Sequence, residues 1–335
     1  MKDLLFERKY GKLYETIENG VCEVFAFKHS LGSIRHMFIK REVPIQLHNE
    51  KFYDITTPYG YGGPVIENCK TGKEKELAKE FKKEFQKYCD EKNIISEFIR
   101  FHPVVGNAED FTDCYEVIYM RDTVGTNLKA YDDPVQSEFS KSTRKSIRKA
   151  LRAGVEYKVI VNPESLSNFK KIYHATMKRI NADNYYYFDD AYFSDCLKYF
   201  GKYIVLVEAH FQGQVIGMEL HFLYKNIMHT HLSGSVEEFH HLFPVYVMQY
   251  GIAQWGKENG VDVIHAGGGL SNDPEDTLYL FKKKFGKNTS FQFYIGRKVW
   301  NEKIYVEICS AAGVGEEEEF FPAYRSKAAK EISGV

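Results

Sequence analysis

YIVLVEAHFQGQVIGMELHFLYKNIMHTHLSGS, Tyr203 to Ser235, is three runs of alternating apolar and polar residues separated by the short turns Gln212-Gly213-Gln214 and Lys225-Asn226. This pattern predicts three antiparallel strands in tight succession. Pro244 then opens a helix in which Val245, Met248, Ile252 and Trp255 fall at helical spacing, and Gly260 stands where a C-terminal cap belongs. A short apolar strand VDVIHA follows, then the glycine loop Gly267-Gly268-Gly269, a helical piece TLYLFKKKF and a last strand SFQFYIGRKVW. The order is β-β-β-α-β-α-β.

The first third of the chain shows this order more loosely. VCEVFAFKH, SIRHMFIKRE and KFYDIT read as strands, and PYGYGGPV as the turn after them. Lys73 to Lys92 reads as a helix with Leu77, Phe81, Phe85 and Tyr88 on one stripe, and IISEFIRF and CYEVIYM as the closing strands. Two copies of one topology suit 335 residues. The predicted class is α+β, each copy a mixed, mostly antiparallel sheet flanked by helices. The first domain is expected over 1–138, with the tail 310–335 packing back on it, and the second over 139–309.

Composition narrows the function classes. Hydrophobic residues at 44% and charged residues at 27% are globular values, and no apolar run is long enough for stable membrane insertion. The charged start MKDLLFERKYGK does not resemble a secretion signal, so a cytoplasmic protein is expected, a monomer or weak dimer. Six cysteines lie far apart with no CxxC pair, which argues for reduced, mostly buried thiols. A net charge of −1 is not that of a protein coating nucleic acid, so any anion site must be local.

One local concentration of charge exists. In SKSTRKSIRKALRAGVEY, Lys141, Arg144, Lys145, Arg148, Lys149 and Arg152 share one helical face, with no acid between them. Like charges at i, i+4 cost an isolated helix about 0.2–0.5 kcal/mol per pair, so the stripe asks for an anionic partner or a fully solvated face. Phosphate is the natural partner.

The glycine loop lacks the Gly-Lys-Ser/Thr ending of a phosphate-cradling loop. Glycines at a strand end let a backbone or ligand approach closely. Lys282 lies at the border of a buried helical face, where it could reach into a cleft, and its position alone favours snorkelling.

Taken together, the basic segment, the HLSGS strand end, PVYVMQYGIAQWGKENGVDVIHAGGG and TLYLFKKKFG resemble the Fem-type aminoacyltransferases, which join amino acids into peptidoglycan bridges and are built from two tandem GNAT-like domains. TPYGYGGPV resembles the corresponding first-domain motif, and the likeness runs from about Cys22 to Arg297.

The resemblance implies transfer of an aminoacyl group from aminoacyl-tRNA to an amine of a cell-wall or related glycan precursor, with no tightly bound cofactor and no metal. It assigns Phe281 and Lys282 to the active site, the lysine stabilising charge on the acyl carbonyl. Lys141, Arg144, Lys145, Arg148 and Arg152 would face tRNA phosphates. Tyr59, Tyr61, Gly62, His102, Tyr186, Gly267 and Gly268 would shape the substrate cleft. Tyr186 stands in the tyrosine-rich RINADNYYYFDD, where family members acting on muramyl peptides carry a basic residue, and His102 stands where some carry an acid.

The general base is not identified. Three other readings stay open: acetyl-CoA as donor in an N-acyltransferase acting on an amino sugar or small amine, a non-catalytic binding module, and a metal site at His221, His229, His231, His240 and His241. The segment SGSVEEFHHLFP, where a CoA pyrophosphate loop would lie, carries one glycine and two acids.

Overall fold

A computed structural model describes residues 2–47, 49–315 and 317–326 and divides the chain into two compact units. They comprise Met1–Met120 with Gln292–Val335, and Arg121–Phe291.

The first unit contains α1 (Arg8–Lys12), β1 (Gly20–His29), β2 (Gly32–Glu42), β3 (Tyr53–Thr56), β4 (Val65–Cys69), α2 (Glu74–Glu91), β5 (Ile94–Arg100) and the start of β6 (Glu116–Asn127). β2 pairs antiparallel with β1 along its length, with β4 near its start and with β3 near its end. The α2 crossover brings β5 parallel to β3. Leu77, Phe81, Phe85 and Cys89 form the buried stripe of α2 and meet Phe38, Ile55 and Ile99 from the sheet. Each phenyl ring so buried contributes about 1.5–3 kcal/mol. Tyr88, predicted on this stripe, lies at its edge, and its hydroxyl donates to Glu23.

The second unit adds α3 (Pro134–Glu138), α4 (Lys141–Arg152), β7 (Glu156–Val161), α5 (Ser167–Arg179), α6 (Asp190–Phe200), β8 (Ile204–Phe211), β9 (Gln214–Tyr224), β10 (Ile227–Ser235), α7 (Pro244–Glu258), β11 (Val263–Gly267), α8 (Thr277–Lys283) and the start of β12 (Ser290–Val299). The predicted hairpins form as β8-β9-β10. Gln212 and Gly213 both take positive φ, the backbone of a tight turn matched to strand twist. β7 extends the sheet beyond β8, and β11 lies between β10 and β6, parallel to β10 and antiparallel to β6. Pro244 occupies the first turn of α7 and Gly260 takes positive φ just past its end. The side of α7 facing the core is set by Val247, Met248, Ile252 and Ala253, while Val245 and Trp255 sit at its margin. β4, β7, α5 and α6 had no counterpart in the sequence pattern.

The unit boundaries lie elsewhere than 138/139 and 309. CYEVIYM was expected to end the first copy, yet its strand continues through Met120, and Val124–Asn127 pair with β11 of the second unit. SFQFYIGRKVW was expected to close the second copy, yet Ile295–Val299 pair with β5 of the first. Burial supplies the reason. Leu128 and Val135 enter the second core, and the fully buried Glu138 carboxylate accepts hydrogen bonds from Asn288 N (2.9 Å) and from the Thr289 hydroxyl.

Trp300 and α9 (Glu302–Ala311) belong to the first unit, where Ile308 packs with Val43, Phe52 and Ile95. The described part of the tail also packs there. Tyr324 Oη donates to Asp54 (3.2 Å), and Arg325 bonds the same carboxylate and the Glu42 carbonyl (2.7 Å). Residues 316 and 327–335 of the expected tail lie outside the described residues. All six cysteines are free, four of them buried.

Candidate active site

β10 and β11 run side by side over only three residue pairs, Ile227–Val263 to His229–His265. Beyond His229, β10 continues to Ser235 without β11 beside it, and both strands carry irregularities near the point of parting: β10 between Thr230 and Leu232, β11 between His265 and Gly267. Bulges of this kind bend a strand and re-aim its side chains. The glycine loop begins at Gly267, the last residue of β11, two residues past its final pair with β10.

The loop is built around Asp276. Its carboxylate accepts from Leu270 N (2.8 Å), Ser271 N (2.8 Å), Ser271 Oγ (3.0 Å) and Tyr279 N (2.8 Å), the last capping α8. These bonds, that from Tyr279 foremost, draw the carboxyl down to about 2. A Cβ at Gly269 would stand 2.3 Å from an Asp276 oxygen, so no side chain fits there. Gly267 takes φ +73°. Arg121 Nη1 closes the other side, donating to Gly269 O (2.9 Å) and Ser271 O (2.5 Å). The glycines thus serve a loop wrapped on a carboxylate.

That loop holds Lys282. Its ammonium donates to Gly268 O at 2.7 Å, turning inward instead of snorkelling. Burial lowers its pKa from 10.5 to about 8, with the Glu219 and Asp276 carboxylates opposing the fall and Arg121 adding to it. Lys282 is therefore largely cationic at neutral pH. Phe281 meets Tyr246 edge-on at 5.7 Å and Phe285 at 5.4 Å, packing α8 onto α7 and so setting where the lysine emerges.

Glu219 on β9 is the residue that sequence reading passed over. It is 3% exposed, accepts from Gln249 Nε2 of α7 at 2.7 Å, and lies 3.2 Å from His221 Nε2. A single acid among the apolar residues of VIGMELHFLY was the available signal. The histidines are held by neighbours. His265 Nε2 lies 2.9 Å from Thr123 Oγ1 and its Nδ1 3.4 Å from His229 Nδ1, while His231 Nε2 lies 2.6 Å from Tyr192 Oη and His240 Nε2 3.0 Å from Ser235 Oγ. Burial, with His229 and His221 nearby, pulls His231 down to about 3 and keeps it neutral.

The expected site residues fall into separate groups. Gly267, Gly268, Phe281 and Lys282 come together in the second unit. Tyr186 lies in a short turn of 3-10 helix there, half-buried, its carbonyl accepting from Tyr173 Oη (2.8 Å).

Tyr59, Tyr61, Gly62 and His102 belong to the first unit and are engaged in its packing. Tyr59 O accepts from Tyr10 Oη (2.9 Å), Gly62 O from Asn107 Nδ2 (2.9 Å), and Tyr61 packs against Phe293 and His102. His102 is fully buried, stacked on Phe6, with Nδ1 accepting from Val105 N (3.2 Å).

On α4, Thr143, Ile147 and Ala150 are buried toward α7, while Lys141, Lys145, Arg148, Lys149 and Arg152 are exposed. Lys149 Nζ stands 5.5 Å from the centre of the Phe243 ring, which precedes α7. Arg144 departs from the stripe, its guanidinium spent on the carbonyls of Gln136 (3.0 Å) and Phe139.

Residues 137–275 match the family described as Acetyltransferase (GNAT) domain. A search of curated proteins gave no match. Among solved structures, the chain is similar to FemX, at 14% identity and a TM-score of 0.68, covering 91% of this chain and 94% of that one. It is similar also to the C-terminal domain (DUF2156) of a putative lysylphosphatidylglycerol synthetase from Agrobacterium fabrum, at 12% identity, TM-score 0.56, covering 90% and 93%. L-PGS from Bacillus licheniformis matches at 14% identity, TM-score 0.53, covering 91% and 96%. The chain shares its fold with FemX, and within it residues 137–275, all in the second unit, are the part that matches a GNAT acetyltransferase domain. No helix among the described residues is long and apolar enough to cross a membrane.

Proposed function

We propose that the protein is an aminoacyltransferase, moving an aminoacyl group from the 3′ ester of a charged tRNA to the amine of a cell-wall or related glycan precursor. The observation that carries this reading is the inward Lys282 ammonium, bonded to Gly268 O one residue past the end of β11. When an amine attacks an ester carbonyl, negative charge gathers on the carbonyl oxygen. A preorganised cation in a partly dry site stabilises that charge more than the starting ester, and loss of one such donor typically costs about 2.7–4 kcal/mol. The exposed cations of α4 support a donor rich in phosphate. The folds of FemX and of the lysylphosphatidylglycerol synthetases support an aminoacyl donor. Tyr186 is the acceptor-side residue of the second unit in this reading.

The match of residues 137–275 to a GNAT acetyltransferase domain favours a second reading, with acetyl-CoA as donor. Glu237 and Glu238 in the segment between β10 and α7 speak against it, because a pyrophosphate there would meet like charge. The test is to present the purified protein with radiolabelled aminoacyl-tRNA and with radiolabelled acetyl-CoA, each beside lysine-bearing cell-wall peptide precursors. Label in an amide product from the charged tRNA alone is expected. Label from acetyl-CoA alone overturns the donor assignment, and label from neither overturns acyl transfer.

A further inference from the structure

We infer that Glu219 is the base that accepts protons from the attacking amine, an inference that rests on the acyl-transfer reading above. Its placement carries the argument. Glu219 lies on β9 opposite Ser233, in the stretch of β10 beyond the last residue paired with β11. Its carboxylate is almost fully buried, yet only one oxygen is engaged. Oε2 accepts from Gln249 Nε2 (2.7 Å) and faces His221 Nε2 (3.2 Å), while Oε1 makes no hydrogen bond among the described residues. A carboxylate oxygen with no protein donor keeps its lone pairs for a donor that arrives with the substrate.

Glu219 also senses Lys282 electrostatically, but the ammonium is bonded to Gly268 O and not to the carboxylate. A cation and an anion that influence each other without joining suit a reacting carbonyl on one side and an amine on the other. Of the other acidic or imidazole groups nearby, His221 has Nδ1 3.3 Å from Thr230 Oγ1 and turns Nε2 to Glu219 itself, and the rest are committed. Asp276 is saturated by four hydrogen bonds, His231 is matched to Tyr192, and His265 to Thr123 and His229.

The step balances as follows in atoms and charge. The incoming alkylammonium gives one proton to Glu219, and the freed lone pair forms the new C–N bond while the carbonyl pair moves to oxygen beside Lys282. As the pair returns, the ester C–O bond breaks and the departing ribose oxygen takes the proton from Glu219. Glu219 then removes the second proton from nitrogen, leaving the amide. The net change is ester plus ammonium to amide plus alcohol and one proton, which Glu219 releases to solvent.

The test compares wild type, Glu219→Gln and Glu219→Asp with radiolabelled aminoacyl-tRNA and two nucleophiles, a lysine-bearing cell-wall peptide precursor and hydroxylamine. Hydroxylamine is neutral at pH 7, and its adduct loses its proton to water readily. Glu219→Gln is expected to lower transfer to the lysine amine by about 10²–10⁴-fold and transfer to hydroxylamine by less than about tenfold. Glu219→Asp, which keeps the charge but withdraws the oxygens, shows the same selective loss and serves if the glutamine variant fails to fold. Equal loss with both nucleophiles, or loss with neither, overturns the assignment and leaves acyl transfer standing. A wild-type protein that transfers to neither nucleophile overturns both.

Discussion

Lys282 is a half-buried cation whose two protonation states differ in what they can do. The ammonium can stabilise an oxyanion and the neutral amine cannot, so activity should hold below pH 8 and decline as the pH rises through about 8, where Lys282 loses its proton. A pH–rate profile checks this. Lys282→Met should lower kcat about 10²–10³-fold and abolish that alkaline decline.

The same substitution should stabilise the fold near neutral pH. The folded pKa lies below the unfolded one, so burial of the ammonium costs stability below about 8, and the cost fades as pH rises toward 10.5. The full difference corresponds to about 3 kcal/mol, and the solvent that still reaches this half-buried side chain reduces it, so a modest rise in Tm is the expected outcome. Asp276 acts through Lys282 by shaping the loop whose carbonyl holds it. Asp276→Ala should reduce kcat while far-UV circular dichroism stays native, and Asp276→Asn should retain more activity, since its amide oxygen still accepts from the loop amides.

At the scale of the element, α4 separates two kinds of basic residue that look alike in sequence. Lys145, Arg148 and Arg152 are exposed, and replacing all three with glutamine should weaken tRNA binding and flatten its salt dependence by roughly 2–3 in the slope of log K against log salt. Arg144 donates to two carbonyls at the end of α3, and Arg144→Ala should instead lower stability by about 1.5–3 kcal/mol with little change in that slope. Filter binding across a salt series, with thermal melting beside it, distinguishes the two. The spacing i, i+3, i+4 was legible because an α-helix repeats every 3.6 residues, and this placed all six cations on one face. The commitment of Arg144 was not, because its acceptors come from another helix end.

At the scale of the whole molecule, the chain crosses between units inside β6 and inside β12, and this decides what can be cut. A fragment of residues 139–309 lacks Val124–Asn127, which pair with β11, and also Leu128 and Glu138 of the second core. A fragment of residues 121–291 keeps them. Cooperative thermal unfolding is expected for the second fragment and not for the first. Equal melting of both would show that the β6 segment adds little to this unit.

Local pattern alone determined the three hairpin strands, the α2 stripe, the Pro244-to-Gly260 span of α7, the glycine loop and the charged face of α4, because alternation, helical period and turn chemistry are properties of neighbouring residues. Only the tertiary structure decided that β6 and β12 each contribute to two units, that Asp276 is the centre of the glycine loop, and that Glu219 lies buried where its charge acts on Lys282. A strand's period is the same whichever strand lies beside it, and a carboxylate acquires its chemistry from groups that the chain delivers from far along its length.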